Sequence, residues 1–359
     1  MKKIFLPLSY LFTITTFMVS CSSSDSNDST PTPETYYKIV NNGNGGVTSI
    51  TDNSDSATLK IAQAIPSVSN VAYPANIPIV FFFDDKILLS SITEESFIVT
   101  ENDVQVTGTI SINEGSNGFA IFNFTPKTQF AANANIKIRL TSGLKDDAGV
   151  GLETEQTYEY TTSAVANRTS SANSFDGNYG FENGFSGVNF IGDGNIIGTS
   201  GCISPFGGSN FACITSGNSL VSTSNAIGDA SSILIVGPIT GATDITSLSF
   251  NYNFLSAEFQ EYVDSVYDDT FIAIVFGENG AHSEFINSVN TIGLAGNQQC
   301  GNFPGMPDDG DEYAGSTGWI NKVLNFGNVG SEVYVAFIIT DVSDGIYSSV
   351  LSIDDINHN

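Results

Sequence analysis

Between residues 258 and 271 the chain reads EFQEYVDSVYDDTF, which sets Glu258, Glu261, Asp264, Asp268 and Asp269 in one stretch without Lys or Arg. Carboxylates so placed repel one another unless water, a raised pKa or a cation offsets them. Ca2+ is suited to this, because it takes six to eight oxygens at about 2.3–2.6 Å from carboxylates, amides and carbonyls. A second acidic stretch, FIITDVSDGIYSSVLSIDDI, carries Asp341, Asp344, Asp354 and Asp355. These nine side chains are the expected calcium ligands, on condition that the two stretches meet at one end of a common fold. Neither matches an EF-hand loop, so the expectation rests on residue type and local density. The competing reading has Asp354 and Asp355 capping a hairpin while Glu261 and Asp264 face water.

Other chemistries fare differently. Glycoside hydrolysis needs two carboxyls across a cleft, and acids are so plentiful here that their presence discriminates nothing. A hydrolytic triad needs a His, and the chain has His282 and His358, both expected at the surface. HExxH, GxSxG and phosphate-binding Gly-rich loops are absent from the sequence. The acidic knot PDDGDEY holds Asp308, Asp309, Asp311 and Tyr313, with Trp319 shortly after it. This long loop is expected to be solvated or to face a ligand rather than to hold a second metal; its aromatics could stack on sugar rings where exposed, although burial in the core or loop packing is the stronger expectation for any single one. Cys202 and Cys213 would close a short disulfide loop, leaving Cys300 over, and no Cys/His spacing suits zinc.

The charge pattern narrows the partners. The net charge is −27, which argues against nucleic acid or anionic lipid. From Ser170 to Asn359 there are 21 acidic residues and one base, Lys322, so Lys–carboxylate pairs cannot balance this half.

The elements that must position these residues are strands. Short β-type runs alternate with Gly/Asn/Asp/Ser clusters and no long 3.6-period stripe appears, which predicts an all-β protein. Residues 1–20, with two Lys, an apolar run and small residues, read as a secretory signal. The following Cys21 and its polar, acidic tail resemble a Bacteroidetes-type lipoprotein signal, which implies lipidation at Cys21 and an outer-membrane, surface-exposed protein. Residues 21–59 are too polar to fold alone and predict a flexible stalk, to which YYKIV adds at most one strand. Period-2 runs such as VQVTGTISI and IKIRL place a β-sandwich at 60–163. A larger, jelly-roll-like sandwich is expected at 170–359, with FIAIVF and VYVAFII as central strands.

Two resemblances add to this. PANIPIVFFFDDKI, FNFTP, FAANANIKIRL and SGLKDDAG resemble the bacterial Ig-like family called Big_5, which implies an N-terminal spacer or presentation module. Its Lys145, Asp146 and Asp147 are expected in a turn with Gly149 at positive φ. LSFNYNFLSAEFQEYVDSVYDDTFIAIVF resembles the choice-of-anchor L family at Ser256, Glu258, Phe259, Glu261, Tyr262, Val263, Ser265, Asp268, Asp269 and Phe271. The closing strands match it at Asp341, Asp344, Tyr347, Ser349, Asp354 and Asp355. Asp268 and Ser348 depart from that family's usual Asn and Asp. The resemblance implies an extracellular β-domain without an assigned activity. The expected function is a non-catalytic surface lipoprotein that binds an extracellular glycan or surface protein, with calcium steadying its loops and the lipid as its membrane contact. The alternatives are a secreted polysaccharide hydrolase using Asp/Glu pairs in 170–359 and a structural envelope protein.

Overall fold

The computed structural model describes residues 37–41, 58–66, 72–73, 75, 77–114, 120–162, 175–216, 231–241, 244–265, 267–296, 298–300, 303, 314–340 and 347–358. The expected signal, Cys21, Asp308, Asp309, Asp311, Tyr313, Asp341 and Asp344 lie outside the described residues.

Alternation builds the first sandwich. Its strands are β1 (Tyr37–Asn41), β2 (Ile61–Ile65), β3 (Ala72–Tyr73), β4 (Ile79–Phe83), β5 (Phe97–Glu101), β6 (Val104–Gln105), β7 (Gly108–Glu114), β8 (Ala120–Pro126), β9 (Asn135–Leu140) and β10 (Gln156–Thr162). They form two sheets, ordered β1-β7-β8-β4-β2 and β3-β10-β9-β5-β6. Strand β9 is typical: Ile136, Ile138 and Leu140 are buried while Asn135, Lys137 and Arg139 face water. The strand anticipated in YYKIV is β1, which runs parallel to β7. In the turn after β9, Gly149 takes φ 86° and Asp146 Oδ1 accepts the Val150 N–H at 2.7 Å.

Strand β4 departs from the alternation, because all of IVFFF is buried. Phe81 and its cross-strand partner Phe122 pack on Phe97 of the facing sheet, with ring centroids 6.3 and 4.7 Å away. The opposite face of the same sheet holds Val80, Phe82, Ile121, Ser111, Asn113 and Asn123, and these are buried too. A sheet dry on both faces must be an interior layer.

The second sandwich supplies what covers it. Its strands are β11 (Val188–Ile191), β12 (Asp193–Ile197), β13 (Phe211–Thr215), β14 (Ser231–Thr240), β15 (Ser247–Ser256), β16 (Thr270–Gly277), β17 (Gly280–Ser288), β18 (Gln298–Cys300), β19 (Ala314–Ser316), β20 (Ile320–Asn325), β21 (Glu332–Thr340) and β22 (Ser349–His358). A single helical turn, α1 (Val289–Ile292), follows β17. One sheet runs β11-β14-β21-β16-β17; the other runs β12-β13-β22-β15-β19-β18, with β20 also paired to β15. Neighbours such as β14 and β21 are distant in sequence, the jelly-roll pattern. Between the two sheets, Phe250 of β15 meets Phe337 of β21 with ring centroids 4.9 Å apart.

Strands β16 and β21 are apolar on both faces because their sheet is also an interior layer. Ala273, Val275, Val335, Phe337 and Ile339 face the partner sheet. Ile272, Ile274, Phe276, Ala336 and Ile338 belong to the core of the first sandwich. The apolar core of the first sandwich therefore extends onto the outer face of this sheet, beside the second sandwich's own core.

The join is completed by polar groups. Strand β17 is an edge strand, and an edge presents unpaired backbone groups. Here side chains of the first sandwich meet them. Ser111 Oγ donates to Ala281 O at 2.5 Å, Ser283 N donates to Asn113 Oδ1 at 3.4 Å, and Asn113 Nδ2 donates to Ser283 O. Asn123 accepts from Ser283 Oγ and donates to Asn113 Oδ1 at 2.9 Å. Further along, Gln63 Nε2 donates to Thr270 Oγ1 at 3.4 Å.

Candidate functional site

The acidic connection between β15 and β16 is held by its own neighbours. Asn290 of α1 is its staple: its N–H donates to Asp268 Oδ1 at 2.7 Å, its Oδ1 accepts from Asp264 N at 2.7 Å, and its Nδ2 donates to Ser265 O at 2.9 Å. Asp269 is buried and accepts from Ser216 Oγ at 3.1 Å. That hydroxyl in turn accepts the Ser349 N–H at 2.8 Å. Glu258 is fully enclosed, whereas Glu261 and Asp264 are exposed.

The segment meets the start of β22 through backbone and aromatic contacts. Ala257 N donates to Ser348 O at 3.2 Å, and the Tyr262 and Tyr347 rings lie 5.3 Å apart. Asp354 and Asp355 do not join it. Ser349 pairs with Ser256, and Asp354 pairs with Asn251, five residues further along. At about 3.3 Å per residue that is roughly 16 Å away. Asp354 and Asp355 thus stand apart from the β15–β16 connection along one strand, while Asp341 and Asp344 lie outside the described residues. Among the described residues no three His, Cys, Asp or Glu side chains converge at metal-ligand spacing.

Asp354 instead builds a different arrangement on the outer face of the β12–β22 sheet. The β15–β22 register shifts between Ser249 and Asn251, and Asp355 there takes φ 49°, the mark of a bulge. The enclosed Asp354 carboxylate reaches the loop joining β12 to β13. Its Oδ2 accepts the Phe206 N–H at 2.8 Å and the Gly207 N–H at 3.1 Å, and its Oδ1 accepts the Asp355 N–H at 2.8 Å. Burial pushes its pKa up to about 6, against the opposing pull of those three N–H groups and with a further push from Asp355.

The same loop is braced at three more points. Trp319 Nε1 donates to Ser204 O at 2.8 Å. Glu182 Oε1 accepts from Ser209 N at 2.7 Å and Asn210 N at 2.9 Å, and these bonds hold its carboxyl below the usual range. Gly208 sits against Glu182 at φ 62°, where a Cβ would collide with the carboxylate. Cys202 bonds to Cys300 across 98 residues. The product is an aromatic ledge: Phe206, 52% exposed, stands edge-on to the partly exposed Trp319 with ring centroids 6.2 Å apart, and Phe211 supports Trp319 from below at 5.8 Å.

Two expectations are corrected. Cys202 pairs with Cys300 rather than Cys213. Cys213 points from β13 into the core beneath the loop, and burial lifts its thiol to about 12. His282 is not at the surface: it is 7% exposed, beside Phe326 at 6.3 Å, and burial lowers its pKa to about 4 with help from the Lys322 charge. Lys322 itself pairs with Glu284. Neighbouring Ser283 bonds to Asn123, so no Ser–His pair forms. His358 is partly buried, 3.1 Å from the Tyr179 hydroxyl. Sequence reasoning missed Phe206, Glu182 and Asn290. Only Phe206 carried a signal, as an aromatic in the otherwise turn-like SPFGGSN.

Comparison with known proteins adds the following. No curated protein matches the chain. Among solved structures, TmCBM61 in complex with β-1,4-galactotriose is similar at 14% identity over 52% of this chain and 97% of that one, with a TM-score of 0.27. A cleaved adhesin domain of Lys-gingipain from Porphyromonas gingivalis is similar at 16% identity over 49% and 95%, with a TM-score of 0.28. The N-terminal part of the bacterial S-layer protein SbsC is similar at 15% identity over 50% and 40%, with a TM-score of 0.24. Likeness at this level equates neither their folds nor their ligands with those of this chain. The sequence model of the bacterial Ig-like domain matches residues 27–162, which take in every strand of the first sandwich, and that part of the chain is a bacterial Ig-like domain.

Proposed function

We propose that this chain is a non-catalytic surface lipoprotein, anchored in the outer membrane through Cys21, whose second sandwich captures an extracellular glycan or glycosylated surface protein. That sandwich is read as a choice-of-anchor L-like domain. The observation that carries the reading is the ledge of Phe206 and Trp319, because the exposed Phe206 ring on a multiply braced loop, set against the partly exposed Trp319 of the β19–β20 connection, offers apolar area at small entropic cost. The hydrolase reading has less support: the oxygens of Asp354, the carboxyl raised to about 6, are engaged by backbone N–H groups. Calcium is retained in reduced form, as a ligand of the exposed Glu261 and Asp264 together with Asp341 and Asp344.

The test is a glycan array probed with the mature chain and with Trp319→Ala. Binding without release of sugars, lost in the variant, supports the reading; sugar release points to the hydrolase. Membrane association lost in Cys21→Ala checks the anchor.

A further inference from the structure

Strand β20 (Ile320–Asn325) is bonded on one side. It pairs with β15 from Asn325 opposite Ser247 to Ile320 opposite Tyr252 without a register shift, and Phe326 N donates to Thr246 O at 2.9 Å in the same register. Antiparallel bonds of this kind fall on every second residue, so Ile320, Lys322 and Leu324 turn their backbone groups to β15. Asn321, Val323 and Asn325 turn theirs away, and among the described residues no strand pairs with that side.

An open edge is a template for another strand, and folds guard edges with charge, proline, bulges or cover. Strand β17, the longest edge strand, is covered by Ser111, Asn113 and Asn123. Strand β20 is next in length and has neither proline nor bulge. Its one charge, Lys322, is drawn across to Glu284 of β17. The acidity of the chain also lapses here, since no Asp or Glu occurs between Glu312 and Glu332. On a molecule of net charge −27, a second copy can approach this edge without meeting carboxylates of the same segment.

The edge is also self-complementary. Its outward side chains are the exposed Asn321, Val323 and Asn325, Val323 being 48% exposed, and they read the same in both directions. In an antiparallel pair, residues directly opposite share a face. Setting Val323 against Val323 of a second copy therefore sets Asn321 against Asn325 and Asn325 against Asn321. Each of these three residues then donates one backbone bond and accepts one. On the inner face the same register sets the exposed Ile320 opposite Phe326 of the second copy. Asn321 Nδ2 is already committed to Asn251 Oδ1 at 3.2 Å, which fixes that amide in place.

We propose that β20 pairs antiparallel with β20 of a second copy across a two-fold axis at Val323, so that one sheet runs through both molecules. The contact is isologous and closes on itself as a dimer. Trp319 directly precedes β20, so the two Phe206–Trp319 ledges come to the same joined sheet. The pairing itself does not depend on what the ledges bind.

The test is sedimentation of the mature chain carrying Cys21→Ala, which removes the proposed lipid. A strand of six residues is a small contact, so monomer and dimer should interconvert with concentration. Val323→Glu and Val323→Lys each set like charges on the axis and should each weaken association by about tenfold or more. An equimolar mixture of the two should recover the dimer, one copy of each, because unlike charges then oppose. Val104→Glu, at the 68% exposed position of the edge strand β6, should leave association unchanged. Hydrogen exchange in the chain without these substitutions gives a second reading: the amides of Asn321, Val323 and Asn325 should gain protection as the dimer forms. A monomer at every concentration, a dimer indifferent to both Val323 variants or equally lost in Val104→Glu, or a mixture that stays monomeric overturns the pairing. Protection of those three amides in a monomer places another segment of the chain on this edge and overturns it as well.

Discussion

Two buried titratable side chains act on this fold with opposite signs. Asp354 has a folded pKa of about 6, above its unfolded value, so the native state binds the extra proton. Its contribution is present below the unfolded pKa and is lost as pH rises through 6. His282 has a folded pKa of about 4, below its unfolded value of about 6.5. Its burial as a neutral ring therefore costs stability as pH falls from 6.5 towards 4. Thermal melts between pH 4 and 7 should separate the two. Relative to the wild type, Asp354→Asn should gain as pH rises through this window, and His282→Leu should gain as pH falls through it. Little of this was legible beforehand. Asp354 read as a calcium ligand or hairpin cap because its true partners, the Phe206 and Gly207 N–H groups, are about 150 residues away in sequence and leave no local mark. His282 read as a surface residue because an isolated His in GAHSEF has no signature of burial.

At the scale of elements, strand β17 depends on side chains that belong to another sheet. Removing Asn113 strips Ser283 N and O of their partner in a buried place, where an unsatisfied polar group costs about 1–3 kcal/mol. Asn113→Ala should lower stability in denaturant melts by that amount, whereas Asn135→Ala, on the exposed face of β9, should change it by less than about 0.5 kcal/mol. The β15–β16 connection depends in the same way on one residue. Asn290→Ala removes the side-chain bonds to Asp264 N and Ser265 O but keeps the N–H that serves Asp268, so hydrogen exchange should rise at Asp264 before it rises in β16. The strands themselves were readable. IKIRL alternates, and FIAIVF and VYVAFII run apolar throughout, which placed β9 at a surface and β16 and β21 inside. The identity of the layer covering β16 and β21 was not readable, since apolar residues on both faces say that something packs there without saying what.

At the scale of the molecule, the Ig-like domain is joined to the second sandwich through an extension of its own apolar core, which the spacer implied by resemblance did not anticipate. Ile272, Ile274, Phe276 and Ile338 are buried by residues of the first sandwich. Residues 37–359 should therefore unfold in one calorimetric transition, and residues 170–359 alone should expose that face and self-associate in sedimentation runs. Calcium has its own readout here. Melting in excess Ca2+ against chelator should show a higher Tm with the metal if the exposed acids bind it, and equal values end that idea. The position of β22 has a further consequence, for the order of assembly. It lies between β13 and β15, yet β13 precedes it by more than 130 residues. As the chain is synthesised, β13 and β15 must wait beside a vacant place until residues 349–358 arrive, because such distant pairing is formed late. A nascent chain stopped short of residue 349 presents two open strand edges to its surroundings, a form that protein quality control is equipped to recognise.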